Sequence, residues 1–323
     1  MAKTLQEKLD AKAEKAYYRR HRSNIKLTGK DIAFYIVDYA VFGLFALICF
    51  FPFYYLFINT ISDNEMVARG AVNFYPIGFT LQNYKDMLSL GDLGQAFLVT
   101  ISRTVIGTLL MVVASAYCGY LVTKKEMWNR KFWYRFLVIT MYFNAGLIPG
   151  YTNMLMLGLT DNFLGYIIPA IVQPFNIILV KTYIESIPAE LEESAFIDGA
   201  GHMMIFRKLI WPLSKPILAT IAIFGAVGHW NSFMDSVINM QNSPNLHTLQ
   251  HKLYIWLNQS NNIASTIGTA RSADEMAAIV NKLNSGKVIK YTISMVTVLP
   301  ILLVYPWMQK YFEKGIMLGA VKG

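Results

Sequence analysis

The sequence has little charge and almost no cysteine. Asp, Glu, Lys and Arg together make up 15% of its 323 residues, whereas hydrophobic residues make up 54%. A water-soluble domain carries about 25% charged residues, so the composition excludes that class and indicates a membrane protein with several spans. The two cysteines, Cys49 and Cys118, both lie inside apolar runs. A disulfide framework is therefore excluded, and neither cysteine has a Cys or His nearby at metal-ligand spacing.

Motifs that carry catalysis are also absent. The sequence contains no Walker lysine loop, no nucleophile elbow and no paired carboxylates of the usual forms. His247 and His251 have i, i+4 spacing, but no glutamate lies between them and a third ligand is lacking, so chance explains this pair better than a metal site. The first 31 residues contain no apolar core, which excludes a cleavable signal peptide. We expect no catalytic residue, no bound metal and no cofactor, so that energy must come from another chain.

Apolar runs long enough to cross a membrane recur six times. A helix needs about 20 residues to span a hydrocarbon core of about 30 Å. The last three runs contain prolines or a polar cluster, which is typical of kinked or packed helices shielded by their neighbours. The sequence therefore predicts an all-α membrane protein with six transmembrane helices, at approximately 32–59, 96–122, 132–148, 163–184, 217–234 and 289–312.

The orientation follows from the lysines and arginines that flank these runs. Residues 1–31 contain nine of them, residues 124–131 contain four, and residues 149–162 contain none. Because such residues concentrate on the cytoplasmic side, both termini and the segment after the fourth run are expected to be cytoplasmic. The net charge of +9 resides mainly in the amino-terminal arm, which favours contact with anionic lipid over nucleic acid. This arm is either an amphipathic surface helix or a disordered leader that fixes the topology.

The segment between the fourth and fifth runs is charged and cannot lie in hydrocarbon. An acidic residue at the centre of a spanning helix costs about 2.5 to 3.5 kcal/mol. Pro188 suits a first helical turn. The acidic Glu190, Glu192 and Glu193 that follow complement the positive end of the helix dipole. Gly199 then allows a sharp reversal, because glycine adopts positive φ without steric cost. A helix and a turn are therefore expected on the aqueous face.

A second short helix is predicted from about residue 201 to 210, and Pro212 and Pro216 break the chain before the fifth run. Three strings in this segment resemble the cytoplasmic EAA loop of permease subunits of ABC importers, which has the form E-A-A, then D-G-A, then I-x-x-P. The likeness is to the carbohydrate group typified by the maltose permeases. Ser194 stands where a second alanine is usual, a small-for-small change. The matching strings are Glu193-Ser194-Ala195, Asp198-Gly199-Ala200 and Ile210-Trp211-Pro212-Leu213.

The resemblance extends beyond this loop. Trp230-Asn231-Ser232-Phe233 follows it, Asn83-Tyr84 precedes the second run, and residues 315–323 match the end of the family. The family's fold would make this chain a six-helix permease with a cytoplasmic coupling helix-turn-helix. A separate ATPase, which holds ATP and Mg, would bind this helix-turn-helix. A solvated connector is the alternative for the loop taken alone. The residues that the resemblance assigns to ATPase coupling are Glu193, Ser194, Ala195, Asp198, Gly199, Ala200, Ile210 and Pro212.

The resemblance also implies roles within the coupling segment. Glu193 and Asp198 would make polar contacts with the ATPase, and Gly199 would set the turn. Ile210 with Pro212 would fix the second helix against the bundle. A bulky residue at the position of Gly199 is therefore expected to uncouple transport from hydrolysis or to prevent assembly.

Domain boundaries and partners follow from the same resemblance. We expect a basic cytoplasmic segment at 1–31, a transmembrane domain at 32–316 that includes the coupling loop 186–216 and an extracytoplasmic loop 237–288, and a cytoplasmic tail at 317–323. The partners would be a second, different permease chain, a dimer of ABC ATPases, a solute-binding protein that contacts the extracytoplasmic loop, and membrane lipid, in a bacterial inner membrane. A packed lid without a partner is the alternative for that loop.

Polar groups inside the runs are candidates for a translocation pathway, because burying them in lipid without partners is costly. Amides can hydrogen-bond sugar hydroxyls, and an aromatic ring can stack on a sugar. Equally, such groups can bond between helices, and Trp230 with Asn231 can instead stabilise the bundle. Arg103 and Lys181 lie near the ends of their runs, where snorkelling to the interface explains them. The pathway candidates are Asn144, Gln173, Asn176, Trp230 and Asn231.

The cargo is inferred from the family and not from site chemistry. The basic leader and the ending at 310–315 resemble the subgroup that imports oligosaccharides released from complex polysaccharides, including acidic uronate oligomers. An ABC permease for another solute is the alternative. A secondary transporter that works without ATP is a further alternative, disfavoured because no carboxylate lies at the middle of a run.

Overall fold

The computed structural model describes residues 28–89, 92–265 and 286–306, together with Gln309. All regular secondary structure in this described part is helical. Three predictions fall wholly or partly outside it. They concern the basic arm before residue 28, the middle of the 237–288 loop, and the tail 317–323 with the family matches from residue 310 onward.

The chain divides into two compact units, residues 1–54 and residues 55–323. The described part of the first unit belongs to one long helix, α1 (Gly29–Thr60). Side chains of α1 such as Phe34, Phe42 and Leu47 are exposed, which suits an apolar helix that faces lipid. The second unit holds the elements that follow.

The second unit is a series of long and short helices. In chain order they are α2 (Asn64–Ala68), α3 (Gln82–Ser89), α4 (Asp92–Thr123), α5 (Arg130–Tyr142), α6 (Leu147–Met156), α7 (Leu164–Ile167), α8 (Pro174–Ile184), α9 (Ala189–Ile197), α10 (His202–Ile205), α11 (Trp211–Leu213), α12 (Lys215–Asn231), α13 (Met234–Asn239), α14 (Leu249–Ser265) and α15 (Gly286–Pro306). A 3₁₀ turn (Ile168–Ala170) extends α7, a π-helical turn (Phe206–Ile210) joins α10 to α11, and a 3₁₀ turn (Pro244–Leu246) precedes α14.

Three helices of the described part are long and apolar enough to cross a membrane. These are α1 and α4, with 32 residues each, and α15, with 21. Two bent pairs pass the same test together: Leu164–Ala170 with Pro174–Ile184, at 44°, and His202–Leu213 with Lys215–Asn231, at 79°. The protein is therefore helical and membrane-spanning, with three to five candidate spans among the described residues, and the number six stays a prediction.

The third predicted span, 132–148, is not one helix, so the prediction of a continuous span there was wrong. Helices α5 and α6 are separated by a short non-helical break, in which Gly146 adopts φ +90°. The side-chain oxygen of Asn144 accepts a hydrogen bond of 2.8 Å from the amide of Gly146 and holds this turn. Because Asn144 is the only polar side chain in the break, run length alone could not detect it. Helix α6 occupies much of the segment 149–162, which carries no basic residue.

The fourth predicted run is interrupted at its prolines, as expected. Pro169 lies in the 3₁₀ turn that follows α7. Gln173 then has an extended backbone, because the ring of the following proline disfavours the α conformation. Pro174 opens α8 at a position where no N–H donor is needed. The result is a 44° bend within the run.

Helix α4 is central to the second unit and packs against α8 and α12. Glycines allow α4 and α12 to approach closely. A Cβ at Gly107 would collide with the imidazole of His229, and one at Gly225 would collide with the side chain of Met111. A larger residue at either position would therefore displace the side chain that it meets, and small residues are typical of such helix crossings in membranes.

Candidate functional site

The segment between α8 and α12 begins with an exposed helix, α9. It follows Pro188, and its first turn carries Glu190 and Glu192 at the positive end of the helix dipole, as predicted. None of the residues of α9 is buried, and the apolar Ile197 is 87% exposed. Uncovered apolar side chains on an otherwise polar segment are typical of a surface that binds another protein.

Gly199 makes the reversal after α9. Its φ is +79°, and a Cβ there would meet nothing within 4 Å, so the requirement for glycine is conformational. The amide of Ala200 donates to the carbonyl of Ala195, and the amide of Gly199 donates to the carbonyl of Phe196, both at 3.0 Å. These two bonds form the Schellman arrangement that commonly ends a helix. The predicted turn is confirmed, and its role in binding an ATPase remains a prediction.

The second helix is longer than predicted. It begins at His202 and does not end at Ile210, because the π-helical turn carries it on to Leu213. Proline lacks an N–H, and its ring clashes with the carbonyl four residues earlier. The widened turn directly before Pro212 accommodates both effects. The chain breaks at Ser214 instead, where the helix axis bends by 79°.

Ile210 fixes this second helix against the bundle, as expected. It is 2% exposed and lies in one buried cluster with Tyr120 of α4, Val180 of α8 and Ile221 of α12. Pro212 is exposed and takes no part in that cluster. The two residues therefore contribute differently, Ile210 by packing and Pro212 by its backbone.

Glu192 holds α9 against the end of α4. Its carboxylate forms an ion pair with Lys124 and accepts a hydrogen bond of 3.1 Å from the hydroxyl of Tyr120. That hydroxyl also lies 3.3 Å from the carbonyl oxygen of His202. One tyrosine thus contacts both short helices, and the ammonium group of Lys124 lies over its ring.

The sequence pointed to Glu193 and missed this role of Glu192. Glu193 is exposed, whereas Glu192 lies three residues before the partly buried Ala195 and shares its face of α9. That spacing was the signal available. The remaining predicted coupling residues divide by exposure: Ser194, Asp198, Gly199 and Pro212 are exposed, and Ala200 is partly buried.

A cavity of about 950 Å³ lies among α4, α6, α7, α8, α12 and α13. Its size is that of a site for a small organic ligand. Its wall combines apolar side chains with polar ones. The polar side chains include Arg103, Asn153, Gln173, Asn176, His229, Ser232, Asp235 and Asn239.

Two of the five pathway candidates line this cavity. Asn176 is buried, and its Nδ2 lies 3.1 Å from the sulfur atom of Met111. Gln173 is exposed, and its Nε2 lies 3.4 Å from the carbonyl oxygen of Ala170. Contact between these amides and a cargo stays a prediction that their position permits.

The other three candidates lie outside the lining. Asn144 holds the turn before α6. Trp230 donates from Nε1 to the carbonyl of Thr297 at 2.9 Å, which joins α12 to α15. Asn231 accepts a hydrogen bond of 3.3 Å from the Nε2 of Gln250, which joins α12 to α14. Trp230 and Asn231 thus make the interhelical bonds that the sequence allowed as the alternative to a pathway role.

Arg103 does not snorkel to an interface, so that prediction was wrong. It is 2% exposed, and its guanidinium faces the carboxylate of Asp235, with 2.5 Å between Nη2 and Oδ2 and 3.3 Å between Nη1 and Oδ1. The guanidinium also stacks on the ring of Tyr166, 4.4 Å from the centroid. A buried charge needs such partners, and periodicity alone cannot pair residues so distant in the sequence.

Two histidines stack where α14 begins. The rings of His247 and His251 have centroids 4.0 Å apart, and Nδ1 of His251 lies 2.9 Å from the hydroxyl of Ser236. Burial, together with the neighbouring His247, lowers the pKa of His251 to about 4, so the ring is neutral at physiological pH. Throughout the ranges that the structure describes, His, Cys, Asp and Glu form no group of three or more suited to a metal ion.

Known proteins resemble this chain along most of its length. The family model described as "Binding-protein-dependent transport system inner membrane component" matches residues 31–318. The chain is 32% identical to the polygalacturonan/rhamnogalacturonan transport system permease protein YtcP of Bacillus subtilis (strain 168), over 91% of this chain and 100% of that protein. It is 33% identical to the protein LplC of the same strain, over 84% of this chain and 89% of that protein. A solved bacterial ABC transporter involved in the import of the acidic polysaccharide alginate contains a similar chain, with a TM-score of 0.75 and 30% identity, over 88% of this chain and 98% of that one.

Proposed function

Because the chain belongs to the family of binding-protein-dependent transport system inner membrane components, we propose that it forms the path by which an ATP-driven importer takes up acidic oligosaccharides. Membership makes the chain a non-catalytic permease subunit of an ABC importer. The family also implies an ATPase and a solute-binding protein as partners. The cargo, the coupling residues and the arrangement in the membrane are proposals beyond membership.

The cargo assignment rests on similarity to two systems for acidic polysaccharides. YtcP is named for polygalacturonan and rhamnogalacturonan, and the solved importer for alginate. Galacturonan and alginate are built from sugars that carry carboxylates. Because both similarities extend over most of the two chains compared, we propose an oligosaccharide with uronate groups, and a neutral oligosaccharide is the alternative.

The coupling loop 186–216 would bind the ATPase. The exposed apolar side chains of α9 and the open turn at Gly199 support this role. Glu193 and Asp198 would reach the ATPase, whereas Glu192 would hold α9 to the bundle. ATP and Mg would be held by the ATPase alone. The proposed coupling residues are Glu193, Ser194, Ala195, Asp198, Gly199, Ala200, Ile210 and Pro212.

The proposed arrangement has six crossings with both termini in the cytoplasm. At 1.5 Å per residue, the 13 residues of α5 extend for about 20 Å, so the turn at Gly146 and α6 would complete the third crossing. The transmembrane domain would extend over 32–316, between the basic segment 1–31 and the tail 317–323. A second, different permease chain would close the pathway beside the cavity.

The cavity would be this chain's share of the pathway. Gln173 and Asn176 would offer their amides to sugar hydroxyls. Trp230 and Asn231 would support the pathway by joining helices. Gly146 lines the cavity, and Asn144 lies just outside it. Asn144 would contact the cargo only if the second permease chain extends the pathway past Gly146.

The proposal is tested by reconstituting the permease pair, the ATPase and the binding protein in proteoliposomes. ATP hydrolysis and uptake are measured with an oligogalacturonate and with the same oligosaccharide after methyl esterification, which removes its charge and keeps its length. We expect strong stimulation by the first and little by the second. Equal stimulation by both would contradict the acidic cargo, and uptake without ATP would favour the secondary transporter.

A further inference from the structure

The pair Arg103–Asp235 lies where the wall of the cavity meets the helix that leads to the extracytoplasmic loop. Arg103 belongs to α4 and Asp235 to α13, and both line the cavity. Their side chains are 3% and 29% exposed. We infer that Arg103 and Asp235 are positioning residues for transport, which transmit a movement of α14 to the cavity wall. The inference rests on the proposed function, because it takes α14 as part of the surface that meets the solute-binding protein.

Helix α13 is separated from α12 by a break in the helical backbone. Helix α12 ends at Asn231, and Ser232 and Phe233 leave the helical conformation, with ψ 129° at Ser232 and φ −134° at Phe233. Asp235 follows this break directly. The hydroxyl of Ser232 and the amide of Ser236 both donate to the Oδ1 atom of Asp235, at 2.9 and 3.0 Å. The carboxylate is therefore bonded both to the break at Ser232 and to the first turn of α13.

Ser236 carries the connection onward to α14. Its hydroxyl lies 2.9 Å from Nδ1 of His251 and 2.8 Å from the hydroxyl of Tyr166. The amide of Thr248 also points to it, at 3.4 Å. Ser236 is fully buried, so water does not compete for these bonds. A shift at the start of α14 is therefore felt at Ser236 and, one residue earlier in the chain, at Asp235.

A second link returns from α14 to α4 and completes a ring of contacts. The amide of Leu249 donates to the hydroxyl of Thr100 at 2.8 Å, one helical turn before Arg103 on α4. Tyr166 of α7 completes this circuit of contacts. Its aromatic ring lies under the Arg103 guanidinium, and its hydroxyl contacts Ser236. The four helices α4, α7, α13 and α14 thus share one buried polar network.

The pair is a poor device for stability alone. The attraction in a buried ion pair roughly repays the cost of removing both charges from water, and apolar replacements of both are often as stable. Moreover, the Nε atom of Arg103 is buried without a hydrogen-bond partner, which adds to the cost. A buried ion pair can instead fix one specific arrangement of the helices that carry it.

The test uses the assembled importer in nanodiscs and measures ATP hydrolysis with and without the cargo-loaded binding protein. For Asp235→Asn and for Ser236→Ala, we expect the ratio of stimulated to basal hydrolysis to fall by about five-fold or more, near the lower end of typical coupling between sites. Ser236→Ala keeps both charges of the ion pair and removes the side-chain contacts that join α13 to His251 of α14 and to Tyr166 of α7. The double variant Arg103→Met with Asp235→Leu should assemble better than Asp235→Asn, because neither charge is left alone.

A matched control exists at another contact between α4 and α14. Lys252 of α14 and Asp92 of α4 form an ion pair of 3.2 Å, in which the Asp92 side chain is 76% exposed, and neither residue lines the cavity. Asp92→Asn should leave the ratio unchanged. The inference is overturned when Ser236→Ala responds like the wild type, or when Asp92→Asn loses as much stimulation as Ser236→Ala. Failure of the wild-type complex to respond to any oligosaccharide would instead count against the proposed function.

Discussion

The coupling segment and the Arg103–Asp235 region, both attached to α4, have opposite characters. In the coupling segment, apolar side chains such as Ile197 are exposed, and the Glu192–Lys124 ion pair holds α9 to the bundle. Around Arg103, polar side chains are buried and bonded to one another. Exposed apolar side chains suit a surface that awaits another chain, whereas a buried polar network suits a link within one chain. The comparison separates residues that meet a partner from residues that transmit its effect.

The largest effect that would sharpen this comparison is expected at Gly199. A valine there would be forced to φ +79°, which costs about 1 to 3 kcal/mol and would redirect α9, so transport should be lost or uncoupled from hydrolysis. Gly201→Val is the matched control, because its φ is −77° and its Cβ also meets nothing within 4 Å. Uptake and ATP hydrolysis are measured in proteoliposomes. Normal coupled transport by Gly199→Val would refute the role given to the turn.

The next effect distinguishes the residue that holds α9 to the bundle from the residue that is expected to bind the ATPase. Glu192→Ala removes the partner of Lys124 and should destabilise the purified permease by about 2 kcal/mol, since hydrogen bonds to charged groups are worth about 1.5 to 3. Glu193→Ala should leave the unfolding midpoint of the permease unchanged and weaken its affinity for the ATPase. Thermal unfolding and ATPase binding are measured for both. Interchanged results would mean that the inward and outward faces of α9 have been assigned the wrong way round.

A smaller effect would test the cavity against the helix contacts. Asn176→Leu keeps the branching and the number of side-chain heavy atoms and removes an amide from the wall. We expect the cargo concentration for half-maximal stimulation to rise about five-fold, equivalent to about 1 kcal/mol. Trp230→Phe removes the hydrogen bond to the carbonyl of Thr297 and should lower stability by a similar amount without changing that concentration. Both variants are tested by measuring ATP hydrolysis at increasing cargo concentrations. If Trp230→Phe changes the cargo response and Asn176→Leu does not, Trp230 and not Asn176 would be assigned to the pathway.

The smallest effect concerns pH at the start of α14. The pKa of His251 is lowered from 6.5 to about 4 by burial and by His247 and Lys252, against the opposing influence of Asp235. A lowered pKa means that the opened form binds the proton more readily, so the contact is fully stable above about pH 6.5 and weakens as pH falls toward 4. Hydrogen exchange of the α14 amides, corrected for its intrinsic pH dependence, should rise over that range. His251→Gln should abolish the pH dependence, and its persistence would assign the titration to another group.

The sequence predicted features that depend on neighbours in the chain. Pro188, the acidic first turn of α9 and the reversal at Gly199 rest on local backbone rules, and the structure has all three. Interruption at Pro169 and Pro174 was also expected from the proline ring. The EAA-type strings indicated the class of protein because each is a short contiguous stretch of the sequence and needs no knowledge of tertiary contacts.

Features that depend on packing could not be predicted. Asp235 lies 132 positions from Arg103, and no periodicity relates them. Glu192 differs from Glu193 only by which face of α9 meets α4. The break at Gly146 lies within a predominantly apolar run, so the mean hydropathy gave no sign of it. In each case the deciding quantity was a tertiary contact or a single backbone angle.

The 79° elbow at Ser214 has a mechanical consequence. Its two arms are the 12 residues His202–Leu213 and the 17 residues Lys215–Asn231, about 18 and 25 Å long at 1.5 Å per residue. For a rigid elbow, a push of about 1 Å on the tip of the short arm tilts both arms by about 3°, which displaces the far tip of the long arm by about 1.4 Å. Such a displacement would be larger at the far tip than at the short arm and would act beside His229, at the wall of the cavity.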